Sequence, residues 1–102
     1  ENNVGFGDIL LFSEALKLSV KGKEIELSKK EKELLELLIK RKKMITSKEL
    51  IIEKVWGYDS DAADNNVEVY VSFLRKKLKA LDSNVLIKTK RGVGYLLEVN
   101  DV

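Results

Sequence analysis

At Ser28 the hydrophobic period of this 102-residue chain changes from two to about 3.6, and that switch divides the fold into a sheet followed by helices. Before it, Leu16, Leu18 and Val20 alternate with Lys17, Ser19 and Lys21. After Gly22 the alternation resumes as Ile25 and Leu27 between Glu24, Glu26 and Ser28. The spacing predicts a hairpin turning near Lys21-Gly22-Lys23, one face buried and one wet. Upstream, the apolar run Ile9 to Phe12 adds another strand, so a small antiparallel sheet of structural role is expected.

Ser28 and Glu31 have the spacing of a capping box, in which hydroxyl and carboxylate each take an orphan amide of the first turn. Leu34, Leu35 and Leu38 then share one side, and the pattern predicts a helix over 29–42. The cluster Lys40-Arg41-Lys42-Lys43 falls at its end, where cations suit the helix dipole, and reads as a solvated C-terminus. After a link holding Met44 and Ile45, Ser47 caps a second helix running through Val55 or Trp56, with Ile51, Ile52 and Val55 inward and Gly57 as the stop. Trp56 is expected in the core, joining the second helix to the third. Residues 58 to 64 read as a solvated acidic loop, because the ligand spacing of a calcium loop is missing.

The third helix, about 65–78 with Asp64 or Asn65 as its cap, carries the functional signal. Val67, Val71, Leu74 and Leu78 lie within about 60° of one another at 100° per residue, which makes a core stripe. Opposite them stand Asn65, Val69, Ser72, Phe73 and Lys76, flanked by Asn66, Tyr70 and Lys77. A helix that only filled a core would place charges there. Exposed apolar side chains among amides, a hydroxyl and lysines mark a contact surface instead. The chain closes with two apolar runs, Val85 to Thr89 and Tyr95 to Val99, around Lys90-Arg91-Gly92-Val93-Gly94, a β-hairpin with a basic tip over about 85–99. The glycine pair serves turn geometry, since no helix follows to aim amides at a phosphate.

Composition narrows the function. With no Cys and no His, thiol nucleophiles, imidazole acid–base chemistry and ordinary zinc sites are excluded, and no enzyme, metal site or cofactor is expected. Net charge is only +2, but residues 65–102 hold seven Lys/Arg against four Asp/Glu, so the basic bias sits at the C-terminal end. The apolar stretches fall well short of the roughly 20 residues needed to span a bilayer. One soluble cytoplasmic domain over 1–102 is expected, with no membrane partner. The single Met is Met44, so the sequence reads as a piece cut from something longer or as a processed chain, the first being preferred.

Three helices, the last with a decorated outer face, followed by a basic-tipped hairpin make an α+β winged helix-turn-helix. An α-helix fits the major groove of DNA while a thin hairpin reaches the neighbouring minor groove. Three segments carry a more specific likeness: Glu53-Lys54-Val55-Trp56-Gly57-Tyr58, the helix Val67 to Leu78, and Ile87-Lys88-Thr89-Lys90-Arg91-Gly92-Val93-Gly94-Tyr95. Together they resemble the OmpR/PhoB-type effector domain of two-component response regulators, over nearly the whole chain.

The resemblance implies a transcription-factor output domain, joined in the full chain to a receiver domain phosphorylated by a sensor histidine kinase. It implies homodimers on tandem direct repeats of double-stranded DNA. It also implies a loop, here Gly57, Tyr58, Asp59, Ser60 and Asp61, that touches RNA polymerase in activators. Thr89 and Arg91 match wing residues that contact a phosphate and enter the minor groove, with Lys90 between them. Arg75 matches a recognition-helix Arg that holds the DNA. The positions of Asn65, Tyr70, Ser72 and Phe73 are often Arg or His in relatives, and all four are uncharged here. Either the helix reads a thymine-rich site through apolar and amide contacts, or intrinsic affinity is low and depends on dimerisation. A protein-interaction module on the same fold is the rival reading.

Overall fold

The computed structural model of the chain describes residues 3–57 and 64–100. Four strands open it, β1 (Asn3–Phe6), β2 (Ile9–Phe12), β3 (Lys17–Val20) and β4 (Lys23–Glu26), antiparallel in sequential order. Ile9 faces Val20 and Leu11 faces Leu18 across β2 and β3, and all four side chains are buried, so the alternation translates into one apolar face. Lys21 and Gly22 both take positive φ, 51° and 86°, as a two-residue hairpin turn requires. Two details depart from the sequence reading. Leu16 lies before β3 in a left-handed conformation, φ 56°, and β1, a short edge strand in which half-buried Val4 and Phe6 alternate with exposed Asn3 and Gly5, lies outside the strands read from the sequence.

Helix α1 (Lys29–Arg41) begins on the expected capping box: the Glu31 amide donates to Ser28 Oγ at 3.2 Å and the Ser28 amide to Glu31 Oε1 at 2.7 Å. Leu34, Leu35, Leu38 and Ile39 form its buried side. Helix α2 (Lys48–Ile51) starts where Ser47 Oγ accepts the Leu50 amide. It does not continue as a regular helix. Ile52–Trp56 winds as a π-helical turn closed by the Gly57 amide on the Ile52 carbonyl at 2.9 Å, and Lys30 Nζ donates to the Val55 carbonyl at 2.7 Å. The wider turn leaves Trp56 half-buried at the rim of the core, where Lys30 lies 5.9 Å from its ring centroid, and this corrects the interior placement expected for it.

Helix α3 (Asp64–Ala80) starts one residue before the expected span and runs two beyond it, so Asn65 is inside the helix and does not cap it. Val67, Val71, Leu74 and Leu78 are all buried, as their spacing requires. Lys77 reaches back to α1 with Nζ 2.6 Å from Glu31 Oε1, tying α3 to the carboxylate of the capping box. The closing hairpin is β5 (Val85–Lys90) and β6 (Gly94–Val99), antiparallel, with Thr89 opposite Tyr95 and Ile87 opposite Leu97.

The hairpin is clamped at both ends, first beside the turn. Thr46 and Tyr95 exchange both backbone hydrogen bonds, at 2.7 and 2.9 Å, so the α1–α2 link adds a bridge to the outer edge of β6. Arg41, from the basic cluster read as solvated, donates to Thr46 Oγ1 at 2.8 Å and to the Ile45 carbonyl at 3.0 Å, holding that link. Gly94 is obligatory here, because a Cβ on it would collide with the Thr46 carbonyl. At the far end Asp8 accepts from Ser83 Oγ and the Asn84 amide, joining the first hairpin to the entry of β5.

Candidate nucleic-acid interface

The burial of Val67, Val71, Leu74 and Leu78 fixes how α3 is rotated, and with it the side presented outward. Asn65, Asn66, Val69, Ser72, Phe73 and Lys76 are exposed, Val69 at 46% and Phe73 at 41% of their full accessibility. Tyr70 behaves differently: it is half-buried between Trp56 and Phe73, with ring centroids 5.4 Å away on either side and interplanar angles of 71° and 75°. The expected contact face therefore has a braced edge, a ladder of three rings running from the end of the π-helical turn to the middle of α3.

Glu68 and Arg75 occupy the flank of α3 nearest the hairpin. Arg75 donates from Nε and Nη2 to the Ile87 carbonyl at 3.1 and 2.6 Å, and from Nη2 to Thr89 Oγ1 at 2.8 Å. Strand pairing explains why an acceptor is available. Tyr95 turns its amide and carbonyl away from β5 towards Thr46, so Thr89 opposite it, and Ile87 two residues earlier, turn theirs away from β6. The outer edge of the wing strand would otherwise present bare carbonyls. Two residues expected to touch DNA, Arg75 and Thr89, are thus bonded to each other, an association that sequence spacing does not reveal.

Lys90 and Arg91 are exposed at the tip with Gly92 and Val93. A groove of about 720 Å³ separates this tip from the helices, lined by Ser47, Lys48, Glu68, Arg75, Thr89, Lys90 and Arg91 among others. Lys48 at its wall pairs with Glu68 at 2.8 Å, while Lys76, Lys90 and Arg91 make no ion pair among the described residues. The result is an exposed helix face and a basic tip with a trough between them. Of the expected polymerase-contact loop only Gly57 lies within the described residues; Tyr58, Asp59, Ser60 and Asp61 lie outside them. Among the described residues no helix is long and apolar enough to cross a membrane.

Residues 22–97, which include the π-helical turn, α3 and the wing, match the family described as transcriptional regulatory protein, C terminal. The chain belongs to that family. Its members are regulators of the OmpR/PhoB effector type and not enzymes, and the winged helix-turn-helix read from the sequence is the fold. Among curated relatives the chain is similar to the response regulator ArlR of Staphylococcus aureus, 45% identical over 89 residues, which cover 87% of this chain and 41% of that protein. The chain thus spans about two fifths of the length of the relatives it matches. Among solved structures it is similar to the DNA-binding domain of Escherichia coli CadC, with a TM-score of 0.86 at 29% identity over 97% of this chain and 94% of that one. It also resembles the C-terminal domain of the nisin resistance regulator NsrR, with a TM-score of 0.80 at 38% identity over 99% of this chain and all of that one.

Proposed function

We propose that this domain binds double-stranded DNA sequence-specifically as the output domain of a response regulator, α3 entering the major groove and the β5–β6 wing the adjacent minor groove. The observation that carries the reading is the outward face of α3, where Asn65, Asn66, Val69, Ser72, Phe73 and Lys76 share one exposed side next to a basic wing tip. Lys76, Lys90 and Thr89 supply phosphate contacts that set register. Arg91, beside a turn glycine, enters the minor groove, where narrow A·T-rich stretches deepen the negative potential. Arg75 acts from behind, holding β5 at a fixed distance from α3 so that helix and wing meet the duplex as one unit.

In the full chain the partner of this domain is a receiver domain, phosphorylated by a sensor histidine kinase, and the assembled form is a homodimer on tandem direct repeats. The sequence segment Gly57 to Asp61 is the part that touches RNA polymerase. The site of action is the bacterial cytoplasm, where the chromosome lies. Selection from a random duplex pool with the 102-residue chain, followed by mobility shift on the enriched sites, tests this. Enrichment of a defined motif is expected. Failure to enrich any motif, together with loss of binding to a protein partner in Phe73→Ala, would establish the docking module instead.

A further inference from the structure

We infer that Phe73 is a thymine reader, a rigid apolar surface that takes the C5-methyl group of a thymine in the major groove; the inference rests on the proposed DNA-binding reading. Three observations meet at this side chain. Phe73 is exposed on the outer side of α3, yet one edge of its ring is fixed by Tyr70, which is fixed in turn by Trp56. A braced ring loses little rotamer freedom on binding, so its burial is not offset by ordering. The second observation is what surrounds it: Asn66, Val69 and Ser72 place an amide, a methyl pair and a hydroxyl on the same side, and the guanidinium of Arg75, the one Arg of α3, is held by the wing.

A bidentate Arg is the chief reader of guanine, whose N7 and O6 acceptors require donors that Phe73 lacks. Pressed on a G·C edge, the ring would strip water from those groups and return no hydrogen bond. The thymine methyl is the one apolar group on a major-groove edge, and it alone matches the ring. The third observation is charge. Lys76, one turn along α3, and Lys90 and Arg91 on the wing are exposed and make no ion pair among the described residues, which favours an anionic partner such as duplex DNA.

The test uses the 102-residue chain and duplexes it selects from a random pool, with each thymine replaced singly by deoxyuridine, which removes the methyl and leaves pairing intact. At one major-groove position affinity should fall about fourfold, the ~0.8 kcal/mol of one buried methyl converted at 1.4 kcal/mol per tenfold. The same replacement should be silent in Phe73→Ala, which removes only a part-exposed ring and keeps the fold, and should again weaken binding in Phe73→Leu. Selection of sites with no thymine needed under α3, or uracil effects that persist unchanged in Phe73→Ala, overturns the inference while leaving DNA binding in place. Absence of salt-dependent binding to every duplex overturns the DNA reading itself.

Discussion

Replacing Arg75 by Met keeps the length and apolar stem of the side chain and removes its donors, leaving the Ile87 carbonyl and Thr89 hydroxyl on the edge of β5 to solvent. Charge-assisted hydrogen bonds contribute about 1.5 to 3 kcal/mol in favourable settings, and the two shortest here, 2.6 and 2.8 Å, share one nitrogen. Arg75 is exposed, so water competes for both ends and the combined contribution falls to about 1–2 kcal/mol. For a domain of this size that lowers the melting temperature by roughly 5 to 15 °C. Urea or thermal unfolding of the free protein, with amide exchange of β5 and β6, reads the effect without DNA present. Arg75→Lys should recover less than half of the loss, because an ammonium cannot place two donors as the planar fork does. Wild-type stability together with wild-type exchange in β5 for Arg75→Met would refute this role, since the residue would then act only through charge towards DNA.

Gly94→Ala should cost about 3 kcal/mol or more, because the new methyl group collides with the Thr46 carbonyl where the backbones bridge, and urea unfolding checks it. Lys77→Met leaves the buried Glu31 carboxylate without its cation and should cost about 2 to 3 kcal/mol, somewhat below the loss for a fully buried pair because Lys77 is partly exposed; denaturation at neutral pH measures it. Trp56→Ala should cost about 2 to 3 kcal/mol, less than a fully buried Trp, since its ring sits at the core rim; a folded variant with reduced melting temperature is the expected observation. Arg91→Ala should weaken DNA binding by about 1 to 3 kcal/mol, more on sites flanked by an A-tract than on G·C-flanked ones, and an equal loss on both would place Arg91 on phosphate alone.

Periodicity made much of this legible. The change at Ser28, the capping box and the stripe Val67-Val71-Leu74-Leu78 each report a local rule that the tertiary structure obeys, so helix α1, the rotation of α3 and the exposed face followed from spacing alone. Where the answer depended on long-range partners, sequence was silent. The π-helical turn of Ile52–Trp56 satisfies its Val55 carbonyl through Lys30, 25 residues earlier, and no local pattern encodes that bond. Tyr70 fell on the flank of the expected contact face by angle, but only its rings' neighbours show that it braces Phe73. Arg75 and Thr89 were both singled out, through the likeness to a family, and their bond to each other emerged only from the pairing phase of β5 and β6.

The central claim is that the α3 face and the wing engage DNA through phosphate contacts that position the reading side chains. Its most direct test is the slope of log affinity against log salt for the 102-residue chain on a selected duplex. Each phosphate neutralised contributes about 0.9, and Lys76, Lys90 and Arg91 with one or two further cations of the groove give an expected slope of about −3 to −5. Lys90→Ala should make it shallower by about one. A slope near zero, unchanged in that variant, would contradict the account.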